Sequence, residues 1–147
     1  MKREAVVETI LIPIDFSGAS RRAARFGLRL ALQTGARVVL LTVLDVGDLR
    51  VAIKKGLDVA TGRDLRKQVR EWVETQYRAI KIPAGVEGDR AIRRGDPGLE
   101  IVDAIRSFGA DLVVMGSVGL ARRLPIGSKT EFVIRKSAVP VVVVRAR

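Results

Sequence analysis

The chain has 147 residues, 48% of them hydrophobic, and a formal net charge of +11 with no histidine and no cysteine. That length fits one domain, residues 1–147, with a proper core. The missing residue types exclude disulfides, thiol catalysis, thiolate metal sites and the usual histidine general base.

The basic excess has two readings. One is an arginine-rich solvated surface, and the other is an acidic partner such as nucleic acid or a nucleotide phosphate. The basic residues are spread along the chain and aromatic residues make up only 4%, which argues against a stacking platform for single strands. Nucleic acid is therefore not the expected partner. No apolar run approaches the ~20 residues of a membrane span. Met1-Lys-Arg-Glu-Ala-Val-Val-Glu8 lacks the apolar centre of a signal peptide. A cytoplasmic protein without membrane contact is expected.

Thr9-Ile-Leu-Ile-Pro-Ile14 is an apolar run of strand length, the pattern of a strand covered on both faces, and Asp15-Phe-Ser-Gly18 closes it. Ser17 to Ser20 can cap a helix that runs to about Gln33 and stops at Gly35. Its apolar positions include Ala23, Ala24, Phe26, Leu28, Leu30 and Ala31. Arg21, Arg22, Arg25 and Arg29 fall mainly on the other side, as on a solvated face. Arg37 to Val43 is a second buried-type strand, and Leu44 to Gly56 has mixed character.

Asp58 to about Ile80 reads as a long helix capped near Thr61, with Leu65, Val69, Trp72, Val73 and Tyr77 at helical spacing. Trp72 reads as a core anchor rather than a ligand platform. Val86 to Arg94 is a short, charged third strand, whose polarity suits a sheet edge. Asp96 can act as an N-cap with Pro97 at the first helical position; that helix runs to about Ser107 and Gly109 ends it. Asp111 to Met115 is the fourth strand. A helix from Ser128 to about Lys136 follows the next loop, and Pro140 to Arg145 is the last strand. Ser128-Lys-Thr-Glu131 matches a capping box.

Strands alternating with helices imply right-handed crossovers and a parallel sheet with helices on both faces, an α/β fold. Ligands of such sheets bind beyond the carboxyl ends of the strands, where the strand order reverses. Asp15, Val43 and Gly116 stand at three such ends. Between Gly116 and Thr130 lies a glycine-rich loop with two arginines, Arg122 and Arg123, leading into a helix N-terminus. That is the layout of a phosphate site, because free N–H groups and the helix dipole face an anion there. The plain alternative is a surface loop that needs glycine turns. Gly127-Ser-Lys-Thr130 is not a P-loop, since glycine does not directly precede the lysine and no glycine lies five residues before Gly127.

Five segments, in this order, resemble the universal stress protein family: Ile10-Leu-Ile-Pro-Ile-Asp-Phe-Ser17, Leu41-Thr-Val-Leu-Asp45, Gly95-Asp-Pro-Gly-Leu-Glu-Ile101, Asp111 to Ser128, and Ser137 to Val144. The resemblance covers almost the whole chain. It implies a five-stranded sheet of order 3-2-1-4-5, the adenine nucleotide alpha hydrolase-like fold, and a homodimer. In one branch of the family it implies bound ATP.

Carried over by position, Pro13, Asp15 and Val43 would line an adenosine pocket, with Asp15 near the ribose or a Mg²⁺ ion. Met115 would touch the base or serve as core. Gly116, Gly119, Gly127, Ser128 and Thr130 would present donors to phosphates, with Arg122, Arg123 and Lys129 nearby. The alternative role for Asp15 is a helix cap or turn residue. Seven residues separate Gly119 from Gly127, two fewer than in the ATP-binding branch.

The expected function is an adenine nucleotide (ATP or AMP) binding sensor or regulator of the stress response. No catalytic constellation is visible, and any ATP hydrolysis should be slow. The alternatives are a non-nucleotide dimerisation module and, behind it, a weak nucleic-acid binder. Pro140 to Val144, apolar on both faces, is the expected homodimer edge.

Overall fold

The computed structural model describes residues 7–45, 65–118 and 126–145. The elements are β1 (Thr9–Pro13), α1 (Gly18–Thr34), β2 (Arg37–Leu44), α2 (Leu65–Arg78), β3 (Gly88–Arg94), α3 (Pro97–Ser107), β4 (Leu112–Gly116), α4 (Ser128–Lys136) and β5 (Val141–Val144). The start expected for the second helix, from Asp58 through the Thr61 cap, lies outside the described residues.

The five strands form one parallel sheet in the order β3-β2-β1-β4-β5. β1 and β4 diverge in connection at the centre, so their carboxyl ends mark the switch point of the sheet. Alternate residues of each central strand feed two cores. Ile10, Ile12, Val38 and Leu40 pack with Ala23, Ala24 and Leu28 of α1 and Val69, Val73 and Tyr77 of α2. Leu11, Val39, Leu41, Val113 and Met115 pack with Ile101, Ala104 and Ile105 of α3 and Val133 of α4. Helices therefore cover both faces, and β1 is buried at every position.

Local signals place most boundaries. Ser17 caps α1 by accepting from the Ser20 amide, and Gly35 ends it in the left-handed region at φ 78°. Asp96 caps α3 by accepting from Leu99 N at 2.9 Å, with Pro97 beginning the helix. β3 is an edge strand, in keeping with its charge, and starts at Gly88 rather than Val86 because Val86 N bonds back to Pro83 O in a turn.

Two expectations fail. Phe26 is 38% exposed rather than core, because Ala23, Ala24, Gly27, Leu28 and Ala31 take the inward stripe of α1. Ser128 does not cap α4. Gly127 holds the N-cap position, Ser128 is already helical, and no side chain caps the helix.

Tyr77 is the largest fully buried side chain. Its hydroxyl lies 2.5 Å from Thr42 Oγ1, which itself donates to Ile14 O at 3.1 Å. Either oxygen of that pair can donate, because the Tyr77 hydroxyl also reaches the Leu40 and Ala91 carbonyls at 3.3 and 3.4 Å. Burial pushes the phenol up to about 12, against the smaller lowering effect of the Thr42 bond. The fold binds the neutral phenol, so the stabilisation is complete below the unfolded value near 10 and is lost as pH rises through about 12. Over that window the wild type should lose roughly 3 kcal/mol that Tyr77→Phe does not lose. Urea denaturation of both proteins from pH 9 to 12 measures the difference.

Candidate functional site

The carboxyl ends of β1, β2 and β4 line a cleft of about 70 Å³ that is partly open to solvent. Its lining includes Pro13, Ile14 and Asp15 from the end of β1, Leu41 and Val43 from β2, and Met115, Gly116 and Val118 from β4 and beyond. Ser20 of α1, Pro97 and Ile101 of α3, and Lys129 and Thr130 of α4 complete it. Most of the wall is apolar; the charged groups on it are Asp15 and Lys129.

Seven of the residues expected from the sequence thus share one cavity: Pro13, Asp15, Val43, Met115, Gly116, Lys129 and Thr130. Gly127 and Ser128 do not line it. Gly119, Arg122 and Arg123 lie outside the described residues. Ile14, Ser20, Leu41, Pro97, Ile101 and Val118 were not foreseen. Pro97 and Ile101 sit in the Gly95–Ile101 motif, which was legible as a helix start but not as a wall of the cleft.

Each boundary of the cleft has a local cause. Asp15 Oδ1 accepts from the Ser17 amide at 2.9 Å, an Asx turn that leads the chain from β1 into α1. Asp15 therefore has the turn role as well as a place on the cleft wall. Between them Phe16 has φ 65°, a conformation that costs a bulky residue about 1–3 kcal/mol. On the other wall the base of the glycine loop is closed by Gly127 N donating to Ser117 O at 2.6 Å. Thr130 Oγ1 donates to Gly116 O at 2.8 Å, tying the first turn of α4 to the end of β4. The Thr130 hydroxyl proton is spent on that bond.

Three helices whose starts lie among the described residues begin at this end of the sheet. Ser17 and Asp96 cap α1 and α3, whereas the first turn of α4 has no side-chain cap. Of these three, α4 therefore offers N–H groups without a side-chain cap beside the cleft, together with the Lys129 ammonium. That pairing suits an anion. No group of three His, Cys, Asp or Glu side chains that could cage a metal occurs among the described residues. Asp15 is the carboxylate on the described wall, so a metal ion there would find one protein carboxylate.

A sequence model of the universal stress protein family matches residues 7–145. The chain belongs to the universal stress protein family. Universal stress protein MJ0531 of Methanocaldococcus jannaschii is 30% identical over 144 residues, covering 97% of this chain and 84% of that protein. The solved structure of MJ0577, from the same organism, is 28% identical with a TM-score of 0.79 and covers 97% of this chain and 99% of that one. A universal stress protein from Archaeoglobus fulgidus, solved in complex with dAMP, shares the fold at 22% identity and a TM-score of 0.61, over 95% and 99% of the two chains. This universal stress protein thus has the adenine nucleotide alpha hydrolase-like fold of its relatives. Among its described residues no helix is long and apolar enough to cross a membrane.

Gly116 decides how tightly the cleft is built. A Cβ there would stand 2.8 Å from the Ala19 carbonyl carbon and 2.9 Å from Ser20 N. Those are main-chain atoms of α1, which cannot swing aside as a side chain can. Gly116→Ala should therefore destabilise the protein by about 1–3 kcal/mol, the usual cost of overpacking. A urea midpoint unchanged by the substitution would show that α1 gives way freely.

Proposed function

We propose that the cleft binds an adenine nucleotide, and that the protein is a nucleotide-responsive regulator of the stress response rather than an enzyme. The observation that carries this reading is the uncapped first turn of α4, with Lys129, opening onto the same cavity as Asp15 and Val43. The dAMP complex of the Archaeoglobus fulgidus relative supports it.

In this reading the base and sugar lie against Pro13, Val43 and Met115, with Asp15 accepting from the ribose hydroxyls. The phosphates face the amides of Ser128 and Lys129 and the Lys129 ammonium. The Thr130 hydroxyl, already donating to Gly116 O, contributes shape rather than a proton. Arg122 and Arg123 of the loop would add charge, and Gly119 would let its backbone come close. Mg²⁺ would arrive on the phosphates. With Asp15 engaged on the ribose and by the Ser17 amide, this reading assigns no residue to activate a water, so hydrolysis of bound ATP would be slow.

Titration with AMP, ADP, ATP and their Mg²⁺ forms tests the reading. A ligand that binds only the folded state adds about 2.7 kcal/mol of stability at a hundredfold excess over Kd, a melting shift of several degrees for a chain of this size. Lys129→Ala should weaken binding of the preferred nucleotide roughly threefold to tenfold, the scale of one charge-assisted contact. Flat melting curves and flat calorimetry for all three nucleotides would reject nucleotide binding and favour the non-nucleotide module.

Assembly and location are part of the proposal. β5 is the other edge of the sheet, and Val141 to Val144 are half-buried on both faces. An apolar edge of this kind invites pairing with a second strand. The proposal therefore includes a two-fold homodimer through β5, and it assigns the protein to the cytoplasm. Val142→Lys should convert the dimer to a monomer in light scattering at micromolar concentration; a wild-type monomer there would refute the arrangement.

A further inference from the structure

Phe16 is the residue other than glycine that takes a positive φ among the described residues, at 65°. Glycine would adopt that angle without strain, and asparagine with little. The chain instead places a phenyl ring there and encloses it. The ring meets Trp72 and Tyr77 edge to face, with centroids 5.3 Å away in each case. The Arg21 guanidinium lies 5.8 Å from its centroid. The Phe16 carbonyl accepts from Arg21 Nε at 3.1 Å, and Arg21 Nη2 donates to Gln76 Oε1 of α2 at 2.7 Å. Phe16 is thus gripped through both its ring and its carbonyl, by α1 and α2 together.

Neither Phe16 nor the residues that grip it line the cleft, but the preceding residue does. The bond from Ser17 N to Asp15 Oδ1 spans Phe16. Its length therefore depends on the dihedral angles at Phe16. The left-handed angle at Phe16 closes the turn that carries the chain from Asp15, on the cleft wall, into α1.

We propose that Phe16, clamped by Trp72, Tyr77 and Arg21, is a positioning residue that holds the Asp15 carboxylate on the wall of the cleft. Its consequence for binding rests on the nucleotide reading above; its consequence for Asp15 does not.

Phe16→Gly keeps the backbone angle accessible and removes the ring. In the ligand-free protein the Ser17 amide should then exchange with solvent about tenfold faster, the size expected from losing two edge-to-face ring pairs. The Leu11 and Val113 amides of the central strands report the global loss of stability from the missing ring, and the Ser17 rate is read against them. Affinity for the AMP probe should fall by about the same factor. In an Asp15→Ala background, which removes the accepting oxygen, the Phe16→Gly change should add no further loss of affinity. Trp72→Leu, which keeps Phe16 itself, should give intermediate values and serves if Phe16→Gly does not fold.

An unchanged Ser17 rate in the variants overturns the proposal. So does a lowered melting temperature with unaltered AMP affinity, or a loss of affinity that is the same with and without the Asp15 carboxylate, since core filling alone gives those results. If the wild type binds no adenine nucleotide, the nucleotide reading falls and the Ser17 exchange rate alone decides the clamp.

Discussion

The first turn of α1 lies against the carboxyl end of β4 so closely that one added Cβ at Gly116 would come within 2.8 Å of the Ala19 carbonyl carbon. This contact brings the switch point of the sheet and the start of the first helix into one place. Ser20 reaches the cleft because of it, and Gly116 O is left facing Thr130 Oγ1, which binds it. Through that bond α4 is pinned to β4, and its uncapped N-terminus is presented beside Asp15. Loosening the α1–β4 contact would therefore disturb the packing of one helix and the placement of a second together.

The two ends of the cleft are held by different physics. On the β4 side the restraints are hydrogen bonds between main chain and a buried hydroxyl, from Thr130 to Gly116 and from Gly127 to Ser117. On the β1 side they are mostly aromatic. Phe16, Trp72 and Tyr77 meet edge to face, and the Tyr77 hydroxyl is in turn satisfied by Thr42. The second arrangement links the cleft to α2, a helix whose own residues do not line it. A strained dihedral survives there because burial and two ring contacts offset its cost.

The charge of the chain is handled locally rather than by one large patch. Arg37 bonds Thr9, Asp89 and the Phe108 carbonyl, joining both sheet and helix at the amino-terminal end of the strands. Arg93 pairs with Asp103 and Glu100 on α3 and lies over the Phe108 ring. Asp103 is held below the usual carboxylate range by the Arg93 and Ser107 hydrogen bonds. These are structural duties for arginine, and they account for part of an excess of basic residues that could otherwise be assigned entirely to a partner.

The sequence by itself determined the elements and their type. Short, continuous, β-branched-rich apolar runs such as Ile10 to Ile12 and Val38 to Leu41 suit strands covered on both faces, and their alternation with helices implied a parallel sheet. Caps at Ser17, Gly35 and Asp96 were legible because each acts within a few residues of itself. The polarity of Val86 to Arg94 marked an edge for the same local reason. Strand order came from the family resemblance, since periodicity does not say which strands touch.

Only the tertiary structure decided what the site residues do. Gly116 reads in sequence as room for phosphate, yet the space beside it is taken by α1. Thr130 reads as a phosphate donor, yet its proton goes to Gly116. Ser128 reads as a cap, yet Gly127 takes that position once its amide bonds Ser117. Pro97, Ile101 and the grip on Phe16 were invisible because their partners lie a crossover away. Local hydrogen bonds and burial patterns are written into a few neighbouring residues, whereas the competition for a donor or a space is settled only when distant segments meet.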